Sequence, residues 1–170
     1  MTESDNLLTE SLARHVALTG GLPATFEGSA EAVTDALAGA GLDVTGVSLA
    51  DGSGLSTTDR VPVSLLADLL TGAADGTLAD ASAVLSGLPV AGYDGTLAER
   101  GDEDPQTTPG SVRAKTGTLL GVHGLAGTVV TAEGRLLVFA LLADSATANG
   151  LAAEAALDDV ASALAACGCR

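Results

Sequence analysis

The chain has 170 residues, and 46% of them are hydrophobic, which is enough apolar side chain for one domain with a core of its own. Seven basic against 22 acidic residues give a net charge of −15, which repels phosphate backbones and anionic lipid and argues against nucleic-acid or membrane-surface binding. The longest apolar stretches are far shorter than the roughly 20 residues of a bilayer span, and no basic segment precedes an apolar one near Met1, so we predict a soluble chain without a signal peptide.

Apolar side chains at helical spacing predict four helices in the first half of the chain. They are expected at about 7–16, 29–40, 62–70 and 77–85. Ser4 or Asp5 provides the N-terminal cap of the first helix, and Pro62 suits the first turn of the third. Between the second and third helices, residues 44–49 are predicted to be extended and 51–54 to form a turn.

The second half of the chain passes from an irregular region, 91–110, to segments that predict three strands. The strands are expected at 111–119, 122–131 and 135–143, with a tight turn at 132–134. An Ala-rich amphipathic helix follows at 152–166. A helical first half, an antiparallel three-strand meander at about 111–143 and a covering helix predict an α+β fold in a single domain, 1–170.

Lys115 is the only lysine of the chain, since the other six basic residues are arginines. It precedes Thr116, Gly117 and Thr118 on a predicted strand, where an ammonium, hydroxyl groups and a position open to close backbone approach lie together. These groups suit the binding of a carboxylate. The alternative is an ordinary exposed strand residue followed by a glycine bulge.

A second short motif, Ser4-Asp5-Asn6, lies where a loop enters the first predicted helix. By itself this motif is more typical of a helix cap than of a catalytic site. Together, Ser-Asp-Asn and Lys-Thr-Gly are two of the three signature elements of active-site-serine penicillin-binding proteins and class A β-lactamases.

Four segments, in order along the chain, carry a closer resemblance. They are 3–8, 51–56, 87–97 and 112–122. Through them the chain resembles the class C low-molecular-mass penicillin-binding proteins, which are serine-type D-alanyl-D-alanine carboxypeptidases and endopeptidases of cell-wall peptidoglycan. The resemblance implies a β-lactamase/transpeptidase-like fold, an extracytoplasmic location, and a peptidoglycan stem peptide ending in D-Ala-D-Ala as substrate. It implies β-lactam binding by the complete enzyme, and no cofactor or metal.

The same resemblance implies a role for each matching residue. Ser4 would pass a proton toward the leaving D-alanine, and Asn6 would hydrogen-bond the peptide and orient the catalytic lysine. Lys115 and the threonines after it would hold the terminal carboxylate, and the backbone N–H of Thr118 would complete the oxyanion hole. The implied substrate-binding residues are Thr116, Gly117 and Thr118.

The chain departs from the family pattern because it contains no Ser-x-x-Lys: the residue three positions before Lys115 is Val112. Without an activated serine, acyl-enzyme formation is expected to fail. We therefore interpret the chain as the C-terminal part of a penicillin-binding domain, inactive by itself. In the family, the strand equivalent to 135–143 would pair with a strand from the part that precedes these residues, so we expect an unpaired sheet edge and self-association or marginal stability.

Two alternatives to an enzyme stay open. One is a non-catalytic module that binds peptidoglycan peptides at Lys115 or regulates a complete homologue. The other is a generic acidic interaction protein unrelated to cell walls.

Two further residues are candidates for the cleft around Lys115. Arg113 lies two positions before Lys115, on the same face of the predicted strand, where it either adds to the positive field or forms a surface salt bridge. His123 follows the motif strand closely enough to border the cleft.

Ser53 is explained by turn chemistry, and His15 lies on the apolar side of its helix, where we expect it to be packed.

The remaining polar clusters have simple interpretations. Asp102, Glu103 and Asp104 lack the spacing and the glycine of a calcium loop and are expected to be a solvated run of charge. Cys167 and Cys169 are too few for a zinc site and too close together for an easy intrachain disulfide.

Overall fold

The computed structural model describes residues 1–100, 110–146 and 149–167. They form two compact units, of which one is Asp5–Asp68 and the other combines Met1–Ser4 with Leu69–Arg170. The fold class is α+β, as predicted, and this part of the chain contains five α-helices and one three-stranded antiparallel sheet. A single domain over 1–170 stays a prediction.

The first unit packs helix α1, Asn6–Thr19, against helix α2, Phe26–Gly39, through small side chains. Four alanines of these helices are buried: Ala13, Ala17, Ala30 and Ala32. The Asp5 carboxylate caps α1 by accepting from a first-turn N–H at 2.9 Å, as predicted. Helix α2 begins at Phe26 rather than Ser29 because the hydroxyl of Thr25 caps it one turn earlier.

Glu10 is a buried carboxylate that joins helix α1 to the turn at Gly52. Its Oε1 accepts from Arg14 Nε at 3.0 Å, and its Oε2 accepts from the backbone N–H of Gly52 at 2.8 Å. Gly52 belongs to the predicted turn, in which the Ser53 hydroxyl donates to Asp51 Oδ1 at 3.1 Å. Ser53 therefore has the structural role that turn chemistry predicts.

Helix α3, Val63–Asp75, begins directly after Pro62, as predicted, but continues past the expected end near residue 70. The extension includes Gly72, a residue that weakens helices. Here the side chain of Leu78 occupies the space that a Cβ of Gly72 would need. The glycine thus permits a close contact that compensates for its low helix propensity.

Two further predicted elements differ from the structure. Helix α4 is Ser82–Ser86 rather than 77–85, because the carboxylate of Asp75 accepts from both the backbone N–H and the hydroxyl of Thr77 and closes a turn there. Residues 44–49 do not form a strand. They make one isolated bridge, between Ser48 and Arg60.

The sheet of the second unit agrees with the predicted strands to within one residue at each end. Its strands are β1, Val112–Leu119, β2, Val122–Val130, and β3, Leu136–Ala143. They pair in the order β1-β2-β3, and the register places Ala114 opposite Gly127 and Thr118 opposite His123. Gly134, in the turn between β2 and β3, has a φ of +80°, which glycine adopts readily.

Helix α5, Gly150–Ala166, covers one face of this sheet. The main side chains buried between helix and sheet are Leu125, Val129 and Phe139 from the strands, and Leu157 and Ala161 from α5. The carboxylate of Asp158 on α5 accepts two hydrogen bonds from the Arg100 guanidinium, at 3.0 and 2.8 Å, which fixes the helix to the segment before the sheet. No helix in the described ranges is long and apolar enough to cross a bilayer.

The two edges of the sheet differ. On β1, the backbone N–H of Ala91 donates to Val112 O and that of Ala114 to Pro89 O, both at 3.0 Å. On β3, no other strand of the described residues pairs with the outer edge. This edge is the place where the predicted self-association would occur, and self-association stays a prediction.

Cys167 follows α5 and is disulfide-bonded, contrary to the expectation that its spacing from Cys169 disfavours a disulfide. Its backbone is already extended, with φ −68° and ψ 132°, so it is not held in helical geometry. Cys169 lies outside the described residues, as do Asp102, Glu103 and Asp104.

Candidate functional site

The outer edge of β1 carries backbone groups that point away from β2. Residues of an antiparallel strand point their N–H and C=O groups alternately to the two sides. Because Val112 and Ala114 point theirs outward, to the segment before the sheet, Thr116 and Thr118 point theirs outward as well, away from β2. The predicted Lys-Thr-Gly-Thr motif therefore occupies the part of this edge that follows the bonded segment.

Lys115 reaches from β1 to the N-terminal segment of the chain. Its Nζ donates to the hydroxyl Oγ of Ser4 at 2.9 Å and to the backbone carbonyl of Thr116 at 2.7 Å. The side chain is half-buried, and this burial lowers the pKa of the Lys115 ammonium below its usual value. Two predicted catalytic residues that are far apart in sequence are thus in direct contact.

Ser4 is held in an unusual backbone conformation. Its φ is +52°, in the left-handed region that residues other than glycine rarely adopt, and its N–H donates to Met1 O at 3.1 Å. Nearby, the Thr2 hydroxyl donates to Gly87 O at 3.2 Å, and Thr2 O accepts from the Thr96 N–H at 3.3 Å. The N-terminal segment is therefore fixed against residues 87–96, and a strained backbone at such a site is typical of functional residues.

Gly95 makes this close approach possible. It has a φ of +55°, and a Cβ at this position would collide with the carbonyl oxygen of Thr2. The next residue, Thr96, accepts a hydrogen bond from the Thr116 hydroxyl at 2.9 Å. Thr96 is a site residue that the sequence analysis did not assign, although it lies within the resembling segment 87–97.

Gly117 and Arg113 lie on the same face of β1 as Lys115. A Cβ on Gly117 would have no neighbour within 4 Å, so the space beside the strand is open there, as a close-approach position requires. Arg113 is exposed on the surface and has no role in the contact between Lys115 and Ser4.

His123 lies on the opposite face of the sheet. It pairs with Thr118 across β1 and β2, is only 6% exposed, and its Nδ1 lies 3.1 Å from Glu154 Oε1 of helix α5. The same oxygen accepts from the Thr118 hydroxyl at 3.2 Å. His123 therefore reaches the predicted site through Thr118 and not by bordering Lys115, and Glu154 is a second residue that the sequence analysis missed.

Asn6 and His15 belong to the other compact unit. Asn6 is the exposed first residue of α1, and the capping side chain at this point is Asp5 rather than Ser4. His15 is exposed, so its predicted packing was wrong: the buried positions of α1 are those of its alanines and Glu10. In the described ranges, no group of three or more His, Cys, Asp or Glu side chains is placed to hold a metal ion.

Comparison with known proteins gives consistent matches. Residues 1–164 match the D-Ala-D-Ala carboxypeptidase 3 (S13) family. The carboxypeptidase DacB of Mycolicibacterium smegmatis is 41% identical over 99% of this chain and 36% of its own length. The crystal structure of penicillin binding protein 4 from Haemophilus influenzae, complexed with a β-lactam, is 33% identical with a TM-score of 0.79, covering 96% of this chain and 38% of that one.

A more distant structure shares the fold. A predatory endopeptidase from Bdellovibrio bacteriovorus, in complex with an immunity protein, is 22% identical with a TM-score of 0.66, covering 96% of this chain and 41% of that one. The chain thus spans 36%, 38% and 41% of the length of these three proteins.

Proposed function

Because the chain belongs to the D-Ala-D-Ala carboxypeptidase 3 (S13) family, we propose that it provides the substrate-binding edge of a serine-type D-alanyl-D-alanine carboxypeptidase acting on peptidoglycan. The observation that carries the proposal is the 2.9 Å contact between Lys115 and Ser4. It joins two motifs that lie 111 residues apart. Both side chains are polar, so packing in a hydrophobic core does not account for their contact.

The chemistry of acyl transfer gives each group a task. The Lys115 ammonium attracts the terminal carboxylate of a stem peptide that ends in D-Ala-D-Ala, and Ser4 connects this ammonium to the leaving amine as a proton relay. The outward N–H of Thr118 is available to a developing oxyanion. Gly117 leaves room for the peptide backbone beside the strand.

The covalent step needs a group that these residues do not contain. A serine oxygen must attack the D-Ala-D-Ala amide, D-alanine must leave with a proton, and water must hydrolyse the ester. The chain has no Ser-x-x-Lys, so the 170 residues by themselves are inactive and act as a binding module. Catalysis, and trapping by β-lactams, require an activated serine from outside them.

The proposed peptidoglycan substrate implies where in the cell the chain functions. Peptidoglycan stem peptides lie outside the cytoplasmic membrane, so the chain functions in the cell envelope or as a secreted protein. This location agrees with relatives named as penicillin-binding proteins.

Replacing Lys115 by glutamine is expected to weaken binding of a peptide ending in D-Ala-D-Ala about tenfold. A charge-assisted hydrogen bond to a carboxylate contributes about 1.5–3 kcal/mol, and each ~1.4 kcal/mol corresponds to a factor of ten. Calorimetric or NMR titration of the 170-residue chain measures the affinity. The matched control is R135Q, which removes one positive charge at the turn between β2 and β3 and should change the affinity less than about twofold. An equal loss of peptide affinity in both variants would mean that net charge alone causes the effect, and it would contradict the proposal.

The affinity for this peptide is also expected to fall as the pH rises. Burial lowers the pKa of Lys115, so its charge, and with it the carboxylate affinity, is lost at a lower pH than for an ordinary lysine. Because the chain has one lysine, ¹³C labelling of lysine Cε gives one resonance whose titration reports this pKa directly. The ligand affinity and the resonance should follow the same midpoint, and affinity that stays constant through that midpoint would contradict the role of Lys115.

A further inference from the structure

Two threonine hydroxyls meet beside the outer edge of β1. The Thr116 hydroxyl donates to the Thr96 hydroxyl at 2.9 Å, which joins the strand to the 3₁₀ turn Gly95–Leu97. Both side chains are only partly buried, so the pair is open to a ligand that lies along this edge. A hydroxyl has one proton and two acceptor sites, so whichever threonine donates within the pair leaves the other with its proton available.

The turn that carries Thr96 is held in place from two sides. The backbone N–H of Val90 donates to Asp94 Oδ1 at 2.6 Å, which closes the loop just before the turn. Leu97, the next residue after Thr96, is only 1% exposed and belongs to the hydrophobic core of this unit. The Thr96 hydroxyl therefore has a fixed position beside Thr116, and little conformational entropy is lost when it makes a hydrogen bond.

The two possible directions of this hydrogen bond differ in what they offer a carboxylate. When Thr116 is the donor, its proton is used within the pair. When Thr96 is the donor, the Thr116 proton is free for the ligand, and the two hydroxyls and the carboxylate form a chain in which each hydrogen bond strengthens the next. A carboxylate favours the second direction, because a hydrogen bond to an ionised acceptor is stronger than one between two neutral hydroxyls.

From this geometry we propose that Thr96 is a positioning residue, which directs the Thr116 proton toward a ligand carboxylate held at Lys115. The inference rests on the proposed function and deepens it. Lys115 Nζ donates to the backbone carbonyl of Thr116 at 2.7 Å, so the ammonium lies at the same part of the edge as this hydroxyl. One carboxylate oxygen then pairs with the ammonium, and the other accepts from Thr116.

The competing explanation is a purely structural hydrogen bond between the turn and β1. Such a bond would stabilise the strand, and its loss would weaken the binding of every ligand at this edge to the same extent. A positioning role instead affects only ligands that carry a carboxylate, and only while the Thr116 hydroxyl is present. These two dependences separate the explanations.

Two ligands are titrated into the 170-residue chain by calorimetry: a peptide ending in D-Ala-D-Ala with a free carboxylate, and the same peptide as its C-terminal amide. T96V removes the hydroxyl and keeps the shape of the side chain. It should lower the affinity for the carboxylate peptide about three- to tenfold, the range of one hydrogen bond, and change that for the amide less than about twofold. T96S keeps the hydroxyl and should bind both peptides within about twofold of the native chain.

The matched control is T34V, because the Thr34 hydroxyl donates at 2.8 Å to Ala30 O of its own helix, α2. This variant should leave both affinities within about twofold. A double-mutant cycle with T116V tests whether Thr96 acts through Thr116. T116V should weaken carboxylate binding by itself, and adding T96V in that background should change the affinity less than about twofold.

Two failures are distinguishable. Carboxylate binding that depends on Lys115 but is unchanged in T96V, that falls equally for the amide, or that falls just as far in the T116V background, would overturn the role of Thr96 and leave the proposed function standing. A chain that binds neither peptide, or binds them independently of Lys115, would overturn the proposed function and this inference together.

Discussion

The 170-residue chain is expected to remain unlabelled by a fluorescent penicillin under conditions that label penicillin binding protein 4 of Haemophilus influenzae. A penicillin forms a stable ester only with an activated serine, and the chain has no Ser-x-x-Lys to supply one. The groups on the β1 edge can attract and orient a β-lactam carboxylate, but donors alone do not form the covalent bond. We expect a labelled band for the penicillin binding protein and none for the chain, because a covalent adduct survives denaturing electrophoresis and a non-covalent complex does not.

The control must show that the unlabelled chain is folded and able to bind. Circular dichroism and the peptide titration on the same preparation provide this. Labelling of the native chain would contradict the expectation, and peptide mapping would then identify the nucleophile. Ser4 would be the first candidate because it contacts Lys115, and Ser53 the second, so labelling of S4A and S53A variants would distinguish them.

Replacing Gly127 by alanine is expected to destabilise the second unit by about 3 kcal/mol, the upper range for overpacking. Gly127 lies opposite Ala114, which is completely buried, and a Cβ there would collide with Arg113 O and lie 2.5 Å from Ala114 Cα. These are backbone atoms of β1, so relief would require the strand that carries Lys115 to move. Urea denaturation followed by circular dichroism measures the loss.

The same strand offers a matched control in Gly124. A Cβ there would meet only Leu142 Cδ1 at 3.6 Å and Leu141 O at 3.7 Å, which are ordinary contacts. G124A should therefore change the stability by no more than about 0.5 kcal/mol. If G127A and G124A lose equal stability, the close packing of β1 against Gly127 would not be the cause of the loss, and the prediction would be contradicted.

The secondary structure was largely predictable where local chemistry dominates. Strand limits agreed to within one residue, because alternation and turn glycines are encoded within a few positions. Helix limits were less accurate where a distant or capping side chain decides them. Leu78 packing on Gly72 lets α3 continue, and Thr25 starts α2 a turn early.

Only part of the candidate site was visible in the sequence, and its arrangement was not. The single lysine and the Ser-Asp-Asn motif are visible in the chain, and the contact between Ser4 and Lys115 agrees with them. Glu154 and Thr96 carry no local signal, because a glutamate on an Ala-rich helix and a threonine after a glycine are ordinary residues. Their roles arise only from what they contact, 36 and 20 residues away.

The fold class, the family resemblance, the proposal that Lys115 binds a carboxylate and the absence of a Ser-x-x-Lys pair follow from the sequence alone, since each depends on residue types and short spacings. The tertiary structure alone decides that His123 lies on the covered face of the sheet, that Thr118 turns its backbone N–H outward, and that Glu154 accepts a hydrogen bond from the Thr118 hydroxyl. The physical reason is that residue types and short spacings are read within a few positions of the chain, whereas hydrogen bonds between strands and a covering helix depend on packing across the whole unit.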